Sequence, residues 1–458
     1  MNDMTHIITG ARPATRRDRR GIVLLTLCLG VLVAQVDTSV VNLAMQPIGS
    51  AFQASVPALQ WILDAYNLTY ATLLLTGGLV ADLYGRRRAF QFGAAVLAAA
   101  SVACAFAPSI GFLIAARAAA GIGSALLLPA SLSIVRVVWT EQAARRRALG
   151  VWASCNGLAF VIGPSLGGLF ISWFGWPSVF WLAVPIALAA LAFSAWAVPE
   201  SSDPAGRNFD LSGQLSGAIV LGGFVYAVIA AHGDGYSSMA AFALSALALP
   251  SFLFFESRAG AAALVPVDMF AKPSLCGAVA ATAGMTFGAY GLIFLLPLVW
   301  QSTGFLTSQS AGVALMPCAL LFFLIAPRSG HLAQAVGVRM MTAGGTAVIG
   351  CGLLIVAASS AGEPLLLAEI GLAVVGIGMG LNTGPLMSVA VDAVSAARSG
   401  TASALINVAR MAGATLGVAC LGTIFALWHG GAEGLRAAML IGGGVQLCGA
   451  LAACFTIR

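Results

Sequence analysis

Asp37, Asp64 and Arg117 stand in stretches otherwise made almost wholly of apolar side chains. A charge inside a membrane-spanning helix costs about 2.5 to 3.5 kcal/mol on insertion scales, so it usually faces a partner or a water-filled cavity. Two carboxylates and one guanidinium can work as a proton switch: a carboxylate buried away from the arginine takes up a proton, and one moved beside it releases that proton. Plainer readings stay open. Asp37 and Arg117 could be a permanent ion pair that only orients two helices. Asp64 could face an organic cation near Trp61 or Tyr66, whose rings would attract a quaternary ammonium by about 0.5 to 2 kcal/mol.

These readings require a membrane, and the composition supplies one. The chain has 458 residues, 60% hydrophobic and 8% charged, whereas soluble domains carry roughly 25% charged residues. It therefore uses lipid as solvent, and an all-α polytopic membrane protein is expected. Apolar windows of the roughly 20 residues that a span requires fall at 21–46, 58–80, 89–107, 110–137, 148–173, 177–198, 213–231, 237–255, 275–300, 308–328, 338–359, 364–387, 401–427 and 436–456. The segment from Pro199 to Asp210, PESSDPAGRNFD, is the clearest linker. This spacing predicts fourteen spans: two six-helix bundles, 21–198 and 275–458, with an inserted helix pair at 213–255 between a linker at 199–212 and a loop at 256–274.

Charge placement tests that count. Arginines precede helix 1 (Arg12, Arg16, Arg17, Arg19, Arg20), follow helix 2 (Arg86 to Arg88) and follow helix 4 (Arg136, Arg145 to Arg147). Arg207, Arg258, Lys272, Arg328, Arg339, Arg398 and Arg458 share their side in this scheme, and only Arg436 lies opposite. The positive-inside rule then puts both termini, including the basic residues 1–20, in the cytoplasm. Clusters between spans argue against a nucleic-acid partner, and anionic lipid suits them better. In this topology Asp37 and Arg117 both sit roughly 10 to 14 Å below the outer surface, at 1.5 Å per residue, with Asp64 in nearly the same layer. Lys272 is the sole lysine while alanine, glycine and arginine abound, which hints at a GC-rich bacterial genome.

Two further stretches concern helix packing. Gly78, Asp82, Gly85 and Arg87 in the apparent loop GLVADLYGRRR recur at the same spacing as Gly330, Gln334, Gly337 and Arg339, and Gly121-x-Gly123 ahead of Pro129 resembles Gly376-x-Gly378 ahead of Pro385. Such a parallel repeat is one of the transporter architectures. In GPSLGG, Gly163 and Gly167 bare one face of helix 5 and Pro164 removes a hydrogen bond, giving a bent helix suited to a close or sliding interface; Gly168 closes the motif. Ordinary small-residue packing would explain it nearly as well.

With these residues in place, the chain resembles the major facilitator superfamily, specifically its fourteen-span drug:proton antiporters, which include quaternary-ammonium and multidrug exporters and methylenomycin-type resistance pumps. The resemblance is carried by DTSVVN (Asp37 to Asn42), WILDAY (Trp61 to Tyr66), the Gly78 to Arg88 stretch, Arg117 with Gly121, GPSLGG, FDLSG (Phe209 to Gly213) and GTASALINVAR (Gly400 to Arg410). It implies that GPSLGG seals the cavity of an exporter, and that Asp82 meets the N-terminus of helix 11 near Arg339, a latch between bundles involving Gly78, Gly85, Arg86, Arg87 and Gln334. An anion there suits the helix dipole.

The expected function is proton-coupled export of small amphipathic drugs or antibiotics across the bacterial cytoplasmic membrane, by a monomer with a midplane cavity. Asp64, Trp61, Tyr66, Asn407 and Arg410 are its candidate lining, although a structural hydrogen-bond role also suits Arg410 and Asn407. A proton-coupled importer of a metabolite and a non-transporting membrane sensor are the rival classes. No P-loop is present, so no ATP site is expected. The nine cysteines and four histidines show no ligand spacing, so neither a metal, a cofactor nor an enzymatic centre is expected.

Overall fold

The computed structural model describes residues 16–203, 210–231, 235–259, 267–359, 365–394 and 398–457. Arg12, Arg207, His232, Arg458, residues 1–15 and residues 204–209 of the linker lie outside them. In order, the spans are α1 (Arg16–Phe52), α2 (Val56–Tyr84), α3 (Arg86–Ala105), α4 (Ile110–Val138), α5 (Gln142–Phe174), α6 (Ser178–Ala197), α7 (Leu211–Ala230), α8 (Gly235–Ala259) and α9 (Pro273–Ser302). There follow α10 (Ser308–Val336), α11 (Val338–Ala358), α12 (Leu365–Asp392), α13 (Ser399–Leu427) and α14 (Gly431–Thr456). No strand occurs among the described residues.

Thirteen of these helices are long and apolar enough to cross a membrane. The fourteenth, α2, has 29 residues, and its lower hydropathy comes from polar side chains turned inward: Gln60, Asp64, Asn67 and Asp82 are all buried. The helix starts follow local chemistry. Ser109 Oγ accepts from Phe112 N at the head of α4, Asp210 Oδ1 from Gly213 N at α7 and Thr307 Oγ1 from Ser310 N at α10, each satisfying a donor that the first turn leaves free. The tenth span is not one smooth helix: it is interrupted at Leu315 and by a 3-10 turn over Ala326–Arg328, where Pro317 and Pro327 lack the amide that would continue the ladder.

The stretch GLVADLYGRRR is not a loop. Gly78 and Asp82 belong to α2, Arg86 to Arg88 form the first turn of α3, and only Gly85 connects them. Its φ of 113° is closed to most side chains. Gly337, with φ 91°, joins α10 to α11 in the same way. The glycine pairs follow the same plan. A methyl group on Gly121 would strike the Tyr66 backbone of α2 and one on Gly123 would lie 2.8 Å from Gly93 O of α3; on Gly376 it would strike Cys318 of α10 and on Gly378 it would lie 2.6 Å from Gly345 O of α11. The two halves therefore share one backbone packing scheme.

The inserted pair is unequal. α7 packs on α2 and α13 as well as on α8; Thr423 of α13 donates to Val228 O, and Gln214 bonds Thr72 and Thr76 of α2. α8 is covered over only 6% of its span window, and Met239, Phe242 and Leu247 point outward, as expected of a lipid-facing helix.

Candidate functional site

Asp37 on α1 and Arg117 on α4 are each 1% exposed, and their side chains meet with Arg117 Nη1 2.5 Å from Asp37 Oδ2. Arg117 Nε also donates to Ile62 O of α2 at 3.2 Å. Its guanidinium lies 4.5 Å from the Tyr66 ring centroid and 6.0 Å from that of Phe180. Tyr66 is held in turn by its hydroxyl, which donates to Ala34 O at 3.0 Å and shares a 2.7 Å hydrogen bond with Ser124 Oγ. The arginine thus ties three helices through one carboxylate, one carbonyl and one ring.

Asp64 is placed differently. It is fully buried, and neither of its carboxylate oxygens has a hydrogen-bond partner. Four residues earlier on the same helix, Gln60 Nε2 donates to Val418 O and Ala419 O of α13, so this face of α2 lies against the second bundle. The sequence put both acids in one layer with Arg117; the structure joins only Asp37 to it and leaves Asp64 by itself. An ionised carboxylate in such a place costs several kcal/mol, a cost that a proton or a cation removes.

Between the bundles lies a small cavity of about 20 Å³. Gln35 of α1, Asn156 and Phe160 of α5, Tyr290 of α9, Phe322 of α10, Thr383 of α12 and Arg410 of α13 contribute to its wall. Of the candidate lining residues only Arg410 is there. Its Nη2 donates to Asn407 Oδ1, while Asn407 Nδ2 donates to Ser403 O at 2.9 Å. Trp61 lies elsewhere, 6.0 Å from Tyr226 of α7, in a cleft that includes Phe425 and His429. Tyr66 serves Arg117, as described.

Residues 27–418 match the Major Facilitator Superfamily. The chain belongs to this superfamily of transporters. It is 32% identical over 410 residues to the multidrug resistance protein Stp of Mycobacterium tuberculosis, covering 89% of this chain and 76% of that protein. It is 32% identical over 419 residues to the methylenomycin A resistance protein of Bacillus subtilis, covering 90% and 89%. A bacterial homolog of the human lysosomal transporter Spinster has the same fold, with a TM-score of 0.71 at 19% identity over 98% of both chains.

In this facilitator, GPSLGG packs on α1 of its own bundle and on α10 of the other. A methyl group on Gly163 would strike Ser39 of α1, one on Gly167 would strike Val40, and one on Gly168 would lie 3.1 Å from Gln309 Cα of α10. Ser39 Oγ lies 3.1 Å from Ala159 O, pinning the DTSVVN segment to α5. Nearby, Gln301 Nε2 of α9 donates to Leu43 O of α1 at 3.1 Å, and Ser308 Oγ donates to Gln301 Oε1 at 2.6 Å. All of these joints lie in the half of the molecule away from the α2–α3 junction.

At that junction Asp82 Oδ1 accepts from Arg86 Nη2 at 2.8 Å and Nε at 3.0 Å. The linker holds it from outside: Arg86 N donates to Ser201 O, Asp203 N to Asp82 O and Arg87 N to Glu200 Oε1. Gln334 and Arg339 are exposed at the matching junction of α10 and α11, and the bonds of Asp82 described here run to other residues. Glu200, Gln35, Asn156 and Gln60 escaped the sequence reading. The only signal for the three amides was a polar residue inside an apolar window, and for Glu200 an acid next to a linker.

Proposed function

We propose that this facilitator exports small amphipathic drugs or antibiotics from the cytoplasm in exchange for protons. The single observation that carries the coupling is the contrast between Asp37, neutralised by Arg117, and Asp64, buried without a partner. In this state Asp37 has a counter-charge within hydrogen-bond distance and Asp64 has none. Rocking of the bundles exposes Asp64 to water on one side and lets it exchange a proton. Moving one charge through 100 mV supplies about 2.3 kcal/mol.

The arginine-rich face is the cytoplasmic one, so both termini lie inside and the joints around GPSLGG close the outer half in this state. Asp82, Arg86 and the linker then form the inner hinge, in which Asp82 exchanges Arg86 for Arg339 when the inner half closes. Support for export comes from GPSLGG at the bundle interface and from the relatives, which are drug and antibiotic resistance proteins. Each chain holds its own cavity between its own bundles, so the working unit is the monomer. The test is dye movement into inverted vesicles energised by an acidic interior. Accumulation that disappears when the pH gradient and potential are collapsed supports the reading; accumulation that persists overturns the coupling, and uptake in whole cells overturns the direction.

A further inference from the structure

We infer that the central cavity selects amphipathic organic acids, with the substrate carboxylate bound by Arg410; this substrate class rests on the exporter reading above. The cavity holds one full charge, and it is positive. Arg410 lines it, and its described bond is to Asn407 Oδ1, a neutral acceptor. Its Nε is buried and has no partner. A guanidinium offers five donors in a planar fork, and here most of that fork is unused.

Arg117 differs: it is 1% exposed and carries its own carboxylate, whereas Arg410 is half-buried and has none among the described residues. Asp37 and Asp64 are not part of the cavity wall, so nothing there cancels the charge of Arg410. A cationic compound would meet an uncompensated like charge, whereas a carboxylate would complete a paired, charge-assisted fork. The rest of the wall explains the apolar part of the substrate. Phe160 stacks edge-on with Tyr290 at 6.0 Å and with Phe322 at 5.5 Å, and Met285 and Met379 add soft surface. Gln35 and Asn156 hydrogen-bond each other at 2.8 Å and supply neutral polar contacts only.

The experiment pairs two xanthene dyes of similar size: carboxyfluorescein, an anion, and rhodamine 6G, a cation. Binding to the purified protein in detergent and transport in inverted vesicles are both measured, for the native chain, Arg410→Gln, Arg410→Lys and Arg410→Glu. The expected result is binding of carboxyfluorescein by the native chain, weakened at least about tenfold in Arg410→Gln, the equivalent of roughly 1.4 kcal/mol, and partly restored in Arg410→Lys. Arg410→Glu is expected to shift preference to rhodamine 6G. Native preference for rhodamine 6G that Arg410→Gln leaves intact would overturn the inference. So would equal loss of both dyes in a variant that remains monodisperse, since that marks a structural arginine. Arg410-dependent binding of carboxyfluorescein without its export would instead uphold this inference and overturn the exporter reading.

Discussion

The two bundles share a frame and differ in what it encloses. Gly85 and Gly337 turn the chain with the same unusual backbone, and Gly93 with Gly123 are matched by Gly345 with Gly378. Displaced by the interval from Gly85 to Gly337, Asp37 falls on Ala289, Asp64 on Met316 and Asp82 on Gln334; displaced by the interval from Gly121 to Gly376, Arg117 falls on Leu372. The first half thus holds the ionisable groups and the second replaces them with neutral ones, keeping Arg410 at the cavity. Backbone packing is duplicated because both halves must bend alike. Charge is not duplicated, and the proposed coupling uses the ionisable groups of one bundle only.

The largest expected effect comes from breaking the pair that the second bundle lacks. Arg117→Gln leaves Asp37 buried without its cation, and removing one partner of a buried pair costs about 3 to 5 kcal/mol. Thermal unfolding in detergent should show that loss together with abolished transport. Adding Asp37→Asn should restore much of the stability and none of the transport. Leu372→Ala, at the matched position, should cost stability through a cavity while leaving proton dependence intact.

Asp64→Asn separates coupling from folding. No bond is lost, since the carboxylate has none, so stability should hold or rise. If Asp64 carries one proton per cycle, its loss removes about 2.3 kcal/mol per 100 mV. The steady-state accumulation ratio in energised vesicles should then fall about fiftyfold, with downhill exchange retained. Unchanged accumulation would return the coupling role to Asp37.

These two carboxylates also mark the limit of what the residue pattern revealed. Spans, the inserted pair and the repeat were legible because lipid demands long apolar windows and because glycines recur where backbones touch. The pairing of Asp37 with Arg117 was legible as a shared depth. That Asp64 would be left alone was not, because depth says nothing about which way a side chain points around its helix. The junction at Gly85 read as a loop for a related reason: three arginines look like solvent-exposed chain, yet they open a helix beside Glu200, which is distant in sequence.

Gly123→Val and Gly378→Val test the shared frame directly. Each added side chain begins within 3 Å of a facing carbonyl, at 2.8 and 2.6 Å, and overpacking of this kind costs about 1 to 3 kcal/mol. Thermal unfolding should show similar losses for both. A large loss in one half alone would mean that the likeness of the halves does not extend to their energetics.

The smallest expected effect concerns the acid that one junction has and the other lacks. Asp82 and Arg86 are 9% and 13% exposed at their side chains, and the linker bonds to the same turn through backbone groups of Ser201 and Asp203. Asp82→Asn removes the ion pair but keeps those backbone bonds and an oxygen that still accepts from Arg86, so the stability loss should stay below the roughly 3 to 5 kcal/mol expected where one partner of a buried pair is removed outright. Turnover should slow a few-fold, because the group that would meet Arg339 in the closed inner half is gone. Gln334→Glu is the converse: it supplies the second junction with an acid close to Arg339 in sequence. If Asp82 acts as a latch, this acid competes for Arg339 and slows native turnover too, measurable as dye flux at saturating gradient. If neither variant alters flux, the arginines at this junction serve only to hold it on the cytoplasmic side.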